Sequence, residues 1–113
     1  MPTELDLLRG TLDLFILKTL AWAPMHGLGV LRWIEQASNS DLQIEEGALY
    51  PALHRMEIKG WLGAEWGVTE QNRRAKFYHL TPQGRQRLTA QLSMWKRYVR
   101  AADLVLSARR AGA

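Results

Sequence analysis

The chain has 113 residues, a formal net charge of +4 and no cysteine. This length predicts one small domain, and a domain of this size gains from extra burial against a second chain. The lack of cysteine excludes disulfide frameworks, zinc fingers with thiolate ligands and redox motifs. The N-terminal segment is acidic, and no apolar run approaches the ~18 residues that a membrane span requires. We therefore expect a cytoplasmic protein without a membrane segment.

The charge is divided unevenly along the chain. Residues 1–56 carry four basic and seven acidic side chains, whereas residues 57–113 carry eleven basic and four acidic ones. A basic half is typical of a protein that binds a polyanion such as nucleic acid, but a solvated basic surface produces the same pattern. Charge alone therefore leaves both interpretations open.

Two helices are predicted in the first forty residues. Apolar residues three and four apart indicate a first helix over residues 5–22, which Thr3 can cap and Pro24 ends. A turn over residues 23–27 leads to a second helix of about three turns, which ends in the polar residues 38–41. The inward residues of the two helices are Leu5, Leu8, Leu12, Phe15, Ile16, Leu20, Leu28, Leu31 and Ile34.

A third helix is predicted to begin at Glu45 or Glu46 and to end at Gly60. Pro51 must then lie close to its first turn, at some cost or with a slight kink. The spacing of the apolar residues predicts a buried stripe of Leu49, Leu53 and Met56. The other faces carry Ala48, Pro51, His54 and Arg55.

A hairpin is predicted next, because residues 61–68 and 76–80 alternate in polarity and are joined by a polar, basic stretch. Three helices, a hairpin and a further helix are the order of a winged helix-turn-helix, a mainly α fold with a small β-hairpin (α+β). Its third helix fits the ~12 Å wide major groove of DNA. Arg73, Arg74 and Lys76 lie where the hairpin, or wing, would contact phosphates. The alternative for these three residues is a solvated hairpin tip.

The last predicted helix begins at Thr81 and Pro82 and runs to about Ala108. Apolar residues spaced alternately by four and three form a heptad seam along it, made of Leu88, Leu92, Trp95, Val99, Ala102 and Leu106. At ~1.5 Å per residue the helix would be about 40 Å long, so the seam must meet the first helix or a second chain. A homodimer satisfies both requirements. We divide the chain into a DNA-binding unit, residues 1–80, and a dimerisation helix, residues 81–113.

No pattern for catalysis, a cofactor or a metal is found. The glycines at positions 27 and 29 lack the third glycine and the preceding strand of a dinucleotide loop. There is no nucleophile elbow, and His26, His54 and His79 do not have the spacing of metal ligands. An enzyme is therefore not expected. Four tryptophans, Trp22, Trp33, Trp61 and Trp66, belong to different predicted elements, and we expect them to pack in the core or at hinges rather than to stack on single-stranded bases.

Several short stretches resemble one family of DNA-binding proteins, and together they cover most of the chain from residue 8 to residue 95. They are Leu8-Arg9-Gly10-Thr11-Leu12, Met25-His26-Gly27, Gly47-Ala48-Leu49-Tyr50-Pro51-Ala52-Leu53, Gly60-Trp61-Leu62, Arg73-Arg74-Ala75-Lys76-Phe77-Tyr78 and Leu80-Thr81-Pro82-Gln83-Gly84. The chain resembles the PadR-like transcriptional regulators, in their short form with a single long C-terminal helix. Within that form, residues 45–56 are similar to an acidobacterial-type subgroup.

The resemblance implies a homodimeric repressor that binds a palindromic double-stranded operator. It places the recognition surface at Gly47, Ala48, Tyr50, Pro51, His54 and Arg55 and the wing contacts at Arg73, Arg74 and Lys76. In some short members a tryptophan near position 95 lines a dimer pore for planar ligands. Trp95 is thus a candidate ligand residue for an unidentified effector, or a packing anchor of the interface. An alternative of another class is a winged-helix module that binds a protein through its basic surface.

Overall fold

Within residues 10–110, the part that the computed structural model describes, four helices pack with a three-stranded antiparallel sheet. In chain order the elements are α1 (Thr11–Leu20), β1 (Met25–His26), α2 (Gly27–Ala37), α3 (Glu46–Ile58), β2 (Leu62–Val68), β3 (Arg74–Leu80) and α4 (Pro82–Ser107). The predicted α+β class and its order of elements are confirmed. The predicted cap Thr3 and the inward residues Leu5 and Leu8 lie outside the described residues. None of the described helices is long and apolar enough to cross a membrane.

The first helix is buried more widely than its predicted stripe. Leu14 and Leu17 are buried although they lie outside the predicted stripe, whereas Leu12 and Phe15 are only partly buried. The reason is tertiary, because α1 contacts α2, α3 and α4 and therefore has neighbours on several sides. A single apolar stripe describes a helix that lies on a surface, not one that is enclosed.

The segment before α2 was predicted as a turn, but it contains a two-residue strand. Met25 pairs with Tyr78 and His26 pairs with Phe77, so β1 extends the hairpin and the strand order is β1-β3-β2. Two residues are too few to show an alternating pattern, and the pairing depends on a strand fifty residues later in the chain. The His26 side chain then caps α2, since its Nδ1 accepts the Gly29 N–H at 3.2 Å.

The third helix has the predicted bounds and the predicted buried stripe. Glu45 is its N-cap residue, Leu49, Leu53 and Met56 are fully buried, and the chain leaves the helix through Gly60 at a φ of +81°. Gly60 thus adopts the left-handed conformation that favours glycine. Pro51 is the sixth helical residue, just past the first turn, as the predicted start at Glu45 or Glu46 implies.

The hairpin, called the wing below (residues 62–80), pairs Leu62 with Leu80 at its base and Val68 with Arg74 at its outer end. Its second strand begins two residues earlier than predicted, at Arg74, because it matches the length of β2. One face of the wing, which carries Leu62, Ala64, Tyr78 and Leu80, packs against the helices as part of the core or next to it. The outer end extends past the core.

The last helix begins as predicted, with Pro82 at its first position and the Thr81 hydroxyl accepting the Gly84 N–H at 3.0 Å. Thr81 also donates to the Gly60 carbonyl oxygen at 2.6 Å. Gly84 lies directly against the Trp61 carbonyl, where a Cβ atom would collide with it. The start of α4 is thereby fixed to the end of α3 and the first residues of the wing.

The distal part of α4 extends away from the other elements. The molecule measures 65 × 35 × 21 Å, and α4 packs on α1 and β3. The seam residues Leu88, Leu92, Trp95 and Ala102 are partly buried in the single chain, whereas Val99 and Leu106 are exposed. Leu106 keeps 83% of its surface accessible, so the distal seam has no partner among the described residues.

Candidate nucleic-acid interface

The recognition surface predicted on α3 is one continuous exposed face. Gly47, Ala48, Tyr50, Pro51 and His54 are all exposed, while the intervening Leu49 and Leu53 are buried. This face presents two positions without bulky side chains, Gly47 and Ala48, together with one phenol and one imidazole. Such a surface can approach base edges closely and can donate or accept hydrogen bonds.

Arg55, the sixth predicted contact on α3, is attached to α1. Its Nη1 and Nη2 donate to the two carboxylate oxygens of Asp13 at 2.9 and 2.6 Å. These hydrogen bonds raise the pKa of Arg55 above its ordinary value. The side chain of Arg55 is still 45% exposed, and three of its five N–H donors are not used by Asp13.

The three predicted wing cations have different surroundings. Arg73 and Arg74 are exposed at the outer end of the hairpin, and the Arg74 guanidinium carbon lies 4.8 Å from the centre of the Trp66 ring. Lys76 is closer to the core and donates from Nζ to Glu57 Oε1 at 2.8 Å. This hydrogen bond raises the pKa of Lys76. The wing therefore presents two arginines at its tip and one lysine that is paired with α3.

A basic groove of about 380 Å³ runs between α2, α3 and the wing. Its cationic lining residues are Arg32, Arg73, Arg74 and Lys76, and no carboxylate is among the described residues that line it. Tyr50 of α3 and Trp66 of the wing also border the groove, so it adjoins the exposed face of α3. A groove lined by cations from two sides suits a phosphate backbone.

Arg32 was missed by the sequence reasoning, although a signal was present. It is the one basic residue of α2 and follows the buried Leu31, so the helical spacing turns it outward. Its relation to the wing depends on the pairing of β1 with β3, which places the start of α2 beside the hairpin. The sequence predicted no strand there and therefore no such groove.

Three of the four tryptophans predicted to pack in the core or at hinges are instead exposed. Trp22 and Trp66 keep 67% and 63% of their surface accessible, and Trp33 is also at the surface. Trp22 follows the last turn of α1, and Trp66 lies on the part of the wing that extends past the core. Trp61 does pack against the core, with Lys59 and Arg87 at 4.8 and 4.7 Å from its ring centre.

Trp95 borders a second groove, of about 520 Å³, between α1 and α4. Its ring stacks on that of Tyr98 with centroids 6.1 Å apart, and Leu14 and Met94 line the same groove. The Gln91 Oε1 atom is buried beside it without a hydrogen-bond partner among the described residues. The groove is thus mainly apolar and aromatic, with one buried polar acceptor.

The histidines are dispersed. His26 caps α2, His54 is exposed on α3, and His79 lies in β3. Among residues 10–110 there is no group of three or more His, Asp or Glu side chains that could hold a metal ion.

Comparison with known proteins matches this chain to transcriptional regulators. The model of the transcriptional regulator PadR-like family matches residues 16–90. The transcriptional regulator Rv3488 of Mycobacterium tuberculosis is 37% identical over 82 residues, which are 72% of this chain and 72% of that protein. The solved structure of a transcriptional regulator from Clostridium thermocellum has a TM-score of 0.77 at 25% identity, covering 84% of this chain and 92% of that one. A PadR family transcriptional regulator from Eggerthella lenta gives 0.77 at 26% identity, covering 89% and 86%.

Proposed function

This chain belongs to the PadR-like family of transcriptional regulators, which are DNA-binding proteins and not enzymes, and we propose that it is a homodimeric repressor of a palindromic operator. The observation that carries the proposal is the basic groove beside the exposed face of α3. A DNA strand in that groove would bring the major groove to α3 and its phosphates to the arginines.

The exposed face of α3 reads the bases in this proposal. Tyr50 and His54 supply polar groups, and Gly47, Ala48 and Pro51 allow close approach; Ala48 can contact a thymine methyl group but donates no hydrogen bond. Arg55 joins this surface through the N–H donors that Asp13 leaves unused.

The phosphate contacts come from both sides of the groove. Arg73 and Arg74 approach from the wing, and Arg32 from α2 is added to the set predicted from the sequence. Lys76 belongs to the same surface, but it must leave Glu57 or share its ammonium group to bind a phosphate. The affinity from these cations does not depend on base sequence and falls as salt rises.

The distal part of α4 supports the dimer. Val99 and Leu106 continue the seam of Leu88, Leu92, Trp95 and Ala102 but are exposed in the single chain. Uncovered apolar residues at heptad spacing favour a second helix of the same kind. We propose residues 81–113 as the dimerisation helix and residues 1–80 as the DNA-binding unit, so that the dimer sets the half-site spacing.

The test is an electrophoretic shift of the purified protein on the DNA upstream of its own gene, at two salt concentrations and with unrelated competitor DNA. A shift that resists the competitor supports sequence-specific binding. The Arg73→Ala/Arg74→Ala variant should bind all DNA more weakly and with a flatter salt dependence. Unchanged affinity and slope would rule out the wing contacts, and loss of the shift to competitor would favour the protein-interaction module.

A ligand response at Trp95 is the second candidate. The stacked rings of Trp95 and Tyr98 beside an apolar groove favour a planar aromatic ligand. Planar cationic dyes should then quench tryptophan fluorescence in the wild type and lose this effect in Trp95→Ala. Equal quenching in both proteins would leave Trp95 as a packing residue of the dimer.

A further inference from the structure

One aromatic side chain of the basic groove has no part in the core. Trp66 lies on the same face of β2 as Leu62 and Ala64, which pack in or against the core, but it is 63% exposed. Exposure of so large an apolar side chain is informative, since its burial would have been worth more than that of most residues. Its face of the strand is turned to the groove that it lines with Arg74.

The face of the hairpin that carries Trp66 also carries two cations of β3. Trp66 pairs with Lys76, and Arg74 is two residues from Lys76 on the same face of β3. The guanidinium of Arg74 lies diagonally over the indole, 4.8 Å from the ring centre. Diagonal neighbours on a sheet face are within reach of aromatic and long side chains.

The chemistry of this pair suits an anion on its open side. A guanidinium that stacks on an aromatic ring uses its flat face, and its N–H groups at the edge stay free for a phosphate. Holding the long side chain in place before binding also reduces the entropy lost on binding. The attraction between cation and ring strengthens when DNA excludes water from it.

We infer that Trp66 is a positioning residue for DNA binding, because it holds the Arg74 guanidinium in the groove with its N–H edge toward the phosphate backbone. The inference rests on the proposed function, in which Arg74 contacts DNA. It adds a role for an aromatic residue that carries no charge and reads no base.

The test compares single and double variants on a labelled duplex of mixed sequence, about 30 base pairs long, by fluorescence anisotropy between about 50 and 200 mM salt. A mixed sequence suffices because phosphate contacts do not depend on the bases. Arg74→Ala should weaken binding and flatten the salt dependence. Trp66→Ala should weaken binding about fivefold but keep most of the salt slope, since no charge is lost. Trp66→Phe, which keeps an aromatic face, should lie in between.

The decisive result is the double variant. If Trp66 acts through Arg74, then Trp66→Ala should cost little more in a protein that already carries Arg74→Ala. Additive losses would overturn the inference while leaving the wing contact intact. If Arg74→Ala itself changes neither affinity nor slope, the proposed wing contact is wrong and the inference falls with it.

The chain offers a matched control. Trp22 is as exposed as Trp66 and also has a cation beside its ring, Lys18 at 5.4 Å, but it lies outside the groove. Trp22→Ala should leave DNA affinity unchanged. Equal losses from Trp22→Ala and Trp66→Ala would mean that removal of any surface tryptophan impairs binding, which would overturn the positioning role.

Discussion

Asp13 and Arg55 are 42 residues apart in the sequence and are joined by two parallel hydrogen bonds. One residue lies in the first turn of α1 and the other in the last turn of α3. The helix α3 is therefore attached to α1, which packs on α4. Because Asp13 is mostly buried and accepts both bonds, its replacement should change both the stability of the fold and the number of free donors on Arg55.

Asp13→Asn should lower stability and raise DNA affinity. A partly exposed bidentate pair contributes about 1 kcal/mol, so the free energy of unfolding in urea should fall by about that amount. Arg55 gains free donors and the protein loses one negative charge, so binding to mixed-sequence DNA should tighten. Asp103→Asn removes the same charge from an exposed site on α4 and should leave stability unchanged. If both variants had the same free energy of unfolding, the pair of Asp13 and Arg55 would make no contribution to stability.

Glu57→Gln should free Lys76 for DNA. The plot of log affinity against log salt should steepen by about 0.9 for each phosphate that Lys76 then contacts. Glu65→Gln is the matched control, since Glu65 is exposed on the same hairpin, on the face that carries Phe77. Equal effects of the two variants would show that only net charge matters.

The pH dependence of the same ion pair has a definite sign. The folded pKa of Lys76 is raised above its ordinary value by its hydrogen bond to Glu57. The stabilisation from Lys76 is therefore complete at neutral pH and is lost as pH rises through the folded pKa, above about pH 10. The stability difference between wild type and Lys76→Met should accordingly be constant near pH 7 and shrink in alkali. A difference that shrinks between pH 6 and 8 would contradict this assignment.

Two glycines should respond to alanine in opposite ways. A Cβ atom on Gly27 would lie 2.5 Å from Tyr50 Cε1, whereas one on Gly47 would meet no atom within 4 Å. Gly27→Ala should therefore displace the Tyr50 ring and destabilise the protein by about 1–3 kcal/mol. Gly47→Ala should stabilise α3 by up to about 1 kcal/mol and, because its methyl group faces the DNA in our proposal, weaken operator binding. Thermal melting and DNA titration separate the two effects; normal operator binding by Gly47→Ala would remove Gly47 from the recognition surface.

Glutamate in the seam of α4 should give monomers. Leu92→Glu and Leu106→Glu both place a charge in the proposed interface, and Leu106 is so exposed in the single chain that its replacement leaves the fold of one chain undisturbed. Leu104→Glu, on another face of the same turn, should remain dimeric. Sedimentation velocity measures the outcome, and a dimeric Leu106→Glu protein would move the interface elsewhere.

The sequence predicted those parts of the molecule in which local pattern and packing agree. The bounds of α3, its buried leucines and the start of α4 at Thr81 follow from spacing and capping residues. The strand β1, the exposure of Trp66 and the groove beside Arg32 depend on where distant segments meet, which no local pattern encodes. The pairing of Arg55 with Asp13 is of the same kind. A resemblance to a family assigned Arg55 to DNA, but it contained no information on a carboxylate 42 residues away.

The junction between the wing and α4 should fix the distance between the two DNA-binding units of the proposed dimer. The Thr81 hydroxyl donates a hydrogen bond to the Gly60 carbonyl oxygen, and Gly84 lies against the Trp61 carbonyl without room for a side chain. The wing and α3 are thus held rigidly at the start of α4, the helix that forms the interface in the proposed dimer. One base pair added between the half-sites moves the half-sites apart by ~3.4 Å and rotates one relative to the other by about a tenth of a turn. A stiff junction between the wing and α4 cannot absorb that change. Operators should therefore tolerate base changes in a half-site more readily than one inserted base pair between the half-sites.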